Sequence, residues 1–537
     1  MSQHQPQLHE TDRPLPATLH LLIALGLGLL FASYVLLRYG GLWGEGDTTT
    51  FAFAIQQMMS SEQLIPDMNR YANGYGYQVL ATFLSQISGA PIGFIQRHAA
   101  ILLAIWIIPP AWLLYRELVG SARGATLATL FLLVQPELLF VLARGTHEKF
   151  TRGLMLLSLF LLIRSLRSTD RLSRFASLSI CFYLCIYAVI AFNTFLANSF
   201  VLAVLLALVL CWVVIREQPL SLRPAAQAGV LVQRLLFASV ICLILVFAFI
   251  FYIYPPAQIS LRVPTTIAER SAALILDVEP VTLADDAINP YATIDSAWIS
   301  REAYLLLTLS NWLLLGASAS IWLWQTLAWG LGRRSPPDPA AVLLWAFYGA
   351  FAIQGALSIL ADFSIGGNLQ HRVFPSFTLL AVPLITRAVI QWQPPTPAIQ
   401  RSAYATLALV LGLLAILSTL KATNEPVLSN KWIFYHPSEL QAITWADTYL
   451  AERGLWVGFD ERLHTGDVLA TDVQPRAVRL DAWGVDAGTR SFLISDVIRS
   501  RGARLGVPLP ITNDAAITYD NGITQIYRLR PETPYQR

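Results

Sequence analysis

The chain reads Trp43-Gly44-Glu45-Gly46-Asp47-Thr48-Thr49-Thr50 directly after its first long apolar run. This stretch places the carboxylates of Glu45 and Asp47 beside a hydrophobic segment. A carboxylate next to hydrocarbon is costly to desolvate, so it requires water, a cation, a proton or a basic partner. The rest of the sequence supplies the context that decides among these partners.

The composition indicates a protein with many membrane-spanning helices. Of the 537 residues, 55% are hydrophobic and only 13% are charged. Eleven apolar runs are each about as long as a helix that crosses a bilayer: 17–37, 92–115, 125–143, 150–163, 175–194, 199–215, 231–254, 303–329, 340–360, 374–390 and 404–420. The sequence therefore predicts an α-helical polytopic membrane protein with about 11 transmembrane helices.

The distribution of arginine predicts the topology. With a cytoplasmic N-terminus, alternate loops carry the basic residues, for example Arg164 and Arg167 or Arg333 and Arg334, and the loops between them are acidic or balanced. This is the positive-inside pattern, and an odd number of spans then places the C-terminal region outside the cell membrane. The net charge is only +3, so the basic loops are topology signals and we expect no nucleic-acid partner.

The pattern predicts three regions along the chain. They are a disordered cytoplasmic N-terminus at 1–16, a transmembrane domain at 17–421 with exterior loops 40–91, 144–149, 255–301 and 361–373, and a small exterior α/β domain at 422–537. Within the first exterior loop, 47–61 and 77–87 predict two interfacial helices. The first mixes apolar residues with Gln and Ser and is too short and too polar to cross, and the second carries its apolar residues on one face.

The C-terminal region has its own secondary-structure signals. Residues 437–452 predict a helix and 455–459 predict a strand. Residues 515–529 predict a hairpin that turns at Asp520-Asn521-Gly522, since Asn-Gly between alternating apolar residues is a strong hairpin signal.

The acidic pair allows two interpretations. Two carboxylates at Glu45 and Asp47 could bind a divalent cation, or one could act as a base while the other tunes it. Alternatively, Asp47 caps the first interfacial helix, because Asp-Thr-Thr is a good helix start. The two interpretations are compatible.

Basic residues surround a carboxylate in the second exterior loop, Arg144-Gly145-Thr146-His147-Glu148-Lys149-Phe150-Thr151-Arg152. In a helix, Glu148 would lie one turn from both Arg144 and Arg152, which favours a plain salt-bridge network. The other interpretation is a phosphate site with a catalytic or metal-binding acid.

A third polar stretch runs from Asp362 to Arg372. Gly366 and Gly367 permit close backbone approach to a ligand. Arg372 either extends its charge out of the membrane or grips an anionic headgroup, with His371 beside it.

The chain contains no Gly-rich phosphate loop and no metalloprotease, hydrolase or dinucleotide fingerprint, which argues against coupling to nucleotide hydrolysis. The apolar runs also lack the acids typical of ion-coupled transporters, with Glu137 as the main exception.

Together, the Glu45-Gly46-Asp47 motif, the two interfacial helices, the mixed-charge second loop and the C-terminal α/β domain resemble the GT-C glycosyltransferase superfamily. Members of this superfamily move a sugar from a polyprenyl-phosphate carrier onto an acceptor at the outer membrane face. The acidic motif is similar to that of oligosaccharyltransferase catalytic subunits. The second loop departs from their pattern, because it offers the single acid Glu148 where they have an acidic pair.

The resemblance implies roles for the polar loop residues. Asp47 would be the base that deprotonates the acceptor, while Glu45 and Glu148 would tune it or share a divalent cation such as Mg²⁺ or Mn²⁺. The phosphate of the lipid carrier would be bound by basic residues of the second and later loops, namely Arg144, His147, Lys149, Arg152, His371 and Arg372.

The resemblance implies an inverting membrane glycosyltransferase of the GT-C type, which transfers a sugar to an acceptor at the outer face of the membrane. Its partners would be a polyprenyl-phosphate-linked sugar donor and membrane lipids. Two other classes stay open: a transporter or flippase for a lipid-linked glycan, and a non-catalytic membrane scaffold. An enzyme concentrates polar groups at the membrane face, whereas a transporter needs them at mid-depth.

Overall fold

Helices occupy all eleven predicted spans. The computed structural model describes residues 16–42, 46–63, 73–167, 172–217, 225–262, 272, 306–331, 339–365, 369–392, 396–423, 425, 434–450, 455–457, 490–499, 509 and 515–529. Its helices are α1 (Ala17–Tyr39), α2 (Gly46–Ser61), α3 (Gly76–Ser88), α4 (Ile92–Val119), α5 (Ala122–Leu133), α6 (Pro136–Ala143), α7 (Glu148–Arg167), α8 (Leu172–Phe192), α9 (Thr194–Glu217), α10 (Ala225–Ala248), α11 (Leu309–Gly330), α12 (Pro339–Ile365), α13 (Leu369–Gln391), α14 (Pro397–Ala422) and α15 (Pro437–Tyr449).

Eight helices within these ranges are long and apolar enough to cross a membrane, and the bent pair α5 and α6 makes a ninth if it is one span. The remaining two predicted spans are α7 and α11, of 20 and 22 residues. At about 1.5 Å per residue, each of these two helices is long enough to cross a bilayer, but polar side chains lower its hydropathy. The α-helical polytopic architecture is confirmed.

The predicted run 125–143 is not a straight span. It breaks between α5 and α6 with a bend of 80°. Gln135 adopts an extended conformation (φ −98°, ψ 113°) immediately before Pro136, because a residue that precedes proline is disfavoured in the helical region. The bend directs α6 away from the axis of α5 and into the loop that begins at Arg144.

Helix α4 is also irregular. It contains a π-helical turn at Ile95–Ala99 and a 3₁₀ segment at Leu103–Ile107. Turns of the π type occur mostly at functional sites, because the extra residue re-aims the side chains around it. Here the turn includes Gln96, which is buried.

Several predicted boundaries change. The loop 144–149 is shorter than predicted, because α7 begins at Glu148. Helices α12 and α13 occupy most of 361–373, and the start of the 255–301 loop is a 3₁₀ helix, Pro255–Leu261. The predicted disordered residues 1–15, the rest of the 255–301 loop apart from residues 262 and 272, and the strand residues 458–459 lie outside the described residues.

The two helices predicted at 47–61 and 77–87 are confirmed as α2 and α3, and α2 is packed on both sides. Its Ala52 is fully buried in a core with residues of the C-terminal region, whereas Phe51 and Ile55 are buried against Tyr77 of α3 and Phe150 of α7. The amphipathic pattern of α2 therefore serves two separate cores.

The C-terminal region forms a four-stranded sheet in the order β1-β2-β4-β3, with strands β1 (Leu455–Trp456), β2 (Ser491–Ile494), β3 (Ala516–Asp520) and β4 (Gln525–Arg528). Strand β1 is parallel to β2, and the other pairs are antiparallel. The predicted hairpin is confirmed: Gly522 has φ +86°, and its N–H donates to Asp520 Oδ1 at 2.7 Å.

A buried carboxylate joins the C-terminal ends of α1 and α14. Glu425 follows α14, is 6% exposed and accepts hydrogen bonds from Tyr39 (2.6 Å) and Tyr34 (3.4 Å) of α1. It also pairs with Arg38. Because three donors converge on one buried acid, this contact fixes α1 relative to the segment that leads into the C-terminal region.

We expect Glu425→Ala to lower the free energy of unfolding by about 2 kcal/mol, because it leaves buried donors without an acceptor. Thermal unfolding of the full-length protein in detergent, followed by tryptophan fluorescence, measures the change. Asp496→Ala is the matched control: Asp496 forms an exposed i,i+3 pair with Arg499, so its loss should change stability by no more than about 0.5 kcal/mol. Equal effects of the two variants would contradict the role of Glu425.

Candidate functional site

Asp47 lies in the first turn of α2 and forms an ion pair with Arg144. The Asp47 side chain is 63% exposed, whereas Arg144 is only 9% exposed. The guanidinium carbon of Arg144 lies 5.0 Å from the centre of the Phe140 ring at the end of α6. A largely buried cation thus holds an accessible carboxylate at the start of the interfacial helix.

The loop after Arg144 rests on α2 and α4. The N–H of Gly145 donates to Thr48 Oγ1 at 3.1 Å, and Thr48 is buried. A Cβ on Gly145 would lie only 2.6 Å from Gln96 Oε1, and Gln96 in turn accepts a hydrogen bond from Tyr77. Glycine is required here because the backbone approaches the π-helical turn closely.

His147 is buried beneath this loop and is held by Asn193, which lies between α8 and α9. Asn193 Oδ1 accepts the N–H of Leu196 at 2.9 Å, so the amide nitrogen faces His147 Nε2. Nε2 must then accept, which places the proton of the neutral ring on Nδ1. Burial lowers the pKa of His147 to about 4, so its imidazole is a neutral hydrogen-bonding group at pH 7.

Glu148 and Arg152 form an i,i+4 ion pair of 3.0 Å in the first turns of α7. The Arg152 side chain is fully buried and that of Glu148 is 15% exposed. Asp47, Arg144, Glu148 and Arg152 all act electrostatically on the pKa of His147. The structure therefore brings four of the predicted site residues together around the imidazole of a fifth, His147.

Lys149 does not point toward this cluster of charges. Its side chain is fully buried, and Nζ donates to the carbonyl oxygen of Ala100 in α4. Because the helix turns by about 100° per residue, neighbouring residues such as Glu148 and Lys149 face different sides of α7. Lys149 thus joins α7 to the irregular part of α4.

The remaining predicted residues are not placed. Glu45 and the side chains of His371 and Arg372 lie outside the described residues, although the backbone of both latter residues is in the first turn of α13. Within the described part, no group of three His, Cys, Asp or Glu residues is arranged to hold a metal ion. The two described carboxylates, Asp47 and Glu148, each pair with an arginine instead.

Sequence reasoning missed three residues that shape the site: Thr48, Gln96 and Asn193. Two of them carried a usable signal. Asn193 interrupts the apolar stretch shared by α8 and α9, and Gln96 is a polar residue at the start of an apolar run. A buried amide in such a run needs a partner, which is the reason to inspect it.

Two solved structures share the fold along most of this chain. The crystal structure of ArnT from Cupriavidus metallidurans bound to undecaprenyl phosphate matches with a TM-score of 0.55 and 13% identity, and covers 97% of this chain and 100% of ArnT. The apo Archaeoglobus fulgidus oligosaccharyltransferase matches with a TM-score of 0.51 and 14% identity, over 86% of this chain and 64% of that chain.

At 13% and 14% identity, these likenesses show a shared fold, which is the GT-C fold. The chain spans slightly less than two thirds of the oligosaccharyltransferase. No protein-family model matches the sequence, and no curated protein sequence matches it.

We expect Gly145→Ala to destabilise the protein by about 1–3 kcal/mol and to displace Arg144, because the new methyl group overlaps Gln96. Thermal unfolding measures the loss. Gly316→Ala is the control, since a Cβ there has no neighbour within 4 Å and alanine favours the helix over glycine. If Gly145→Ala were as stable as Gly316→Ala, the close packing of the loop would be wrong.

The buried imidazole predicts a pH dependence of stability. The unfolded chain binds a proton at His147 near pH 6.5, whereas the folded chain does so only near pH 4. The stability contributed by the neutral ring is complete above pH 6.5 and is lost as the pH falls toward 4, by up to about 1.4 kcal/mol per pH unit. We expect His147→Gln to unfold with a shallower dependence on pH across this window. If the dependence of stability on pH were the same in His147→Gln and in the wild type, His147 would not be the buried group that titrates in this window.

Proposed function

We propose that this protein is a membrane glycosyltransferase that transfers a sugar from a polyprenyl-phosphate-linked donor to an acceptor at the outer face of the membrane. The observation that carries the proposal is the accessible carboxylate of Asp47, held by buried Arg144 at the start of an interfacial helix. The GT-C fold, shared with ArnT along 97% of the chain, supports the same class of reaction.

In the proposed reaction, Asp47 is the general base. It removes the proton from the acceptor hydroxyl while the acceptor oxygen forms a bond to the anomeric carbon. The bond between that carbon and the phosphate oxygen breaks, and its electron pair stays on the leaving polyprenyl phosphate. A single displacement of this kind inverts the anomeric configuration.

Positive charge is needed where the phosphate leaves. We assign the direct contact to Arg144, whose planar guanidinium group suits two-pronged contacts with phosphate oxygens. The Arg152 side chain is fully buried, so it adds positive charge without touching the phosphate. The neutral His147 would donate a hydrogen bond, not a charge. His371 and Arg372 at the start of α13 complete the proposed phosphate site, and Lys149 supports it through α4.

A divalent cation shared by Asp47, Glu45 and Glu148 is the other way to neutralise the phosphate. Asp47 and Glu148 are each paired with arginine, so the described part of the site does not fit such an ion. We therefore propose that Glu148 holds Arg152 in place.

The arginine pattern of the loops supports an orientation for this reaction. We propose a multi-pass plasma-membrane protein with a cytoplasmic N-terminus, so that α2 and the C-terminal region face outward. The sugar and the acceptor would then meet at the exterior surface. A transporter or flippase for a lipid-linked glycan, or a non-catalytic scaffold, would need neither a base nor a leaving-group site.

We expect Asp47→Asn to fold, with a lower melting temperature because buried Arg144 loses the charge that compensates it. We expect it to lose transferase activity by at least 10²-fold, because asparagine can start a helix as well as aspartate but cannot take a proton. The assay follows release of polyprenyl phosphate from a panel of polyprenyl-phosphate-linked sugars by the purified protein. Asp496→Asn, far along the chain in the C-terminal region, is the control. If Asp47→Asn kept full activity, the assignment of Asp47 as the base would be wrong. If the wild-type protein turned over none of the donors, the proposed transferase activity would be wrong.

A further inference from the structure

An apolar groove runs along the lipid-facing side of the helical domain, between α1, α5 and α14. Its volume is about 810 Å³, which lies in the range of sites that bury small molecules. Leucine and other aliphatic side chains line most of it, including Leu27, Leu130 and Leu411. The groove does not include Asp47, Arg144 or any other residue of the candidate site.

The groove has a basic end. Arg123, in the first turn of α5, lines it beside Tyr404, with the guanidinium carbon 4.9 Å from the centre of the tyrosine ring. His20 lies at the same end, since its carbonyl accepts a hydrogen bond from Thr126 at 3.0 Å. No acid lines the groove, and no described carboxylate pairs with Arg123. This end therefore suits an anionic group.

From its basic end, the groove continues between mostly aliphatic side chains to its other end. The groove extends along α1 from His20 to Tyr34 and along α14 from Tyr404 to Leu420. At about 1.5 Å per residue these are lengths of about 21 and 24 Å, more than the ~15 Å of one leaflet. One extended hydrocarbon chain fits this length.

The basic end and the candidate site are at opposite ends of the helices. Arg123 is at the start of α5, whereas Arg144 follows α6, which begins where α5 ends. A headgroup at Arg123 is therefore remote from Asp47, and the lipid in the groove is not the donor at the candidate site.

We propose that the groove binds an anionic glycerophospholipid, with its phosphate at Arg123 and one acyl chain along α1 and α14. A phosphate oxygen can accept from the guanidinium group, which is already oriented by the Tyr404 ring. The lipid fills the space between the first and last spans and so stabilises the helical domain. This inference does not depend on the transferase activity.

Two pairs of variants of the full-length protein test the proposal. Gly412 lines the groove and has open space around its Cβ position, so Gly412→Phe fills the groove; Gly316 has the same open space outside it, so Gly316→Phe is the control. Arg123→Gln removes the headgroup contact. Arg116→Gln is its control, because Arg116 lies near the same end, over Trp112, and does not line the groove.

The experiment is native mass spectrometry of protein released from nanodiscs that contain equal amounts of phosphatidylglycerol and phosphatidylcholine. We expect one retained phosphatidylglycerol on the wild type and on both controls, and at least a fivefold loss with Gly412→Phe. Arg123→Gln should remove the preference for phosphatidylglycerol. It should also reduce the rise in melting temperature that this lipid produces.

Three results would overturn the proposal. They are equal retention by Gly412→Phe and Gly316→Phe, no preference for phosphatidylglycerol in the wild type, and displacement of phosphatidylglycerol by a polyprenyl phosphate at equal concentration. Thermal unfolding of each variant checks its fold, and Arg123→Gln keeps the test valid should Gly412→Phe not fold.

Discussion

The packing of α2 on both of its faces is the constraint on which the candidate site depends. Ala52 is buried in the core of the C-terminal region, and Phe51 and Ile55 are buried against α3 and α7. Just before α2, the carbonyl of Leu42 accepts the N–H of Tyr435 at 2.8 Å. These contacts fix the start of α2 and so give Asp47 the defined position that the proposed base requires.

The charged side chains around α2 differ in exposure, so the same groups bear on the stability of the fold and on the proposed reaction. Arg144 and Arg152 are buried, whereas their partners Asp47 and Glu148 are more accessible. A buried guanidinium group without its acid is strongly unfavourable. The same carboxylates that would do chemistry therefore also compensate buried charge, and a neutral variant such as Asp47→Asn loses both roles at once.

Local sequence patterns predicted most of the elements, but not the contacts between distant segments. Apolar runs located the spans, and Asp520-Asn521-Gly522 located the hairpin, because both signals are carried by neighbouring residues. The sequence shows a proline at Pro136, but it does not show the 80° bend between α5 and α6. The pairing of His147 with Asn193 joins residues 46 positions apart, and no periodicity contains that information.

The placement of Glu137 bears on the choice between an enzyme and a transporter. Glu137 was the main acid within the predicted spans, where a transporter would need it at mid-depth. It lies instead in the first turn of α6, after the 80° bend, and accepts a hydrogen bond from Asn311 at 3.3 Å. Helix α6 packs against α14 and leads directly to Arg144. Glu137 therefore belongs to the end of the helices that carries the candidate site, and this concentration of polar groups at one end favours an enzyme.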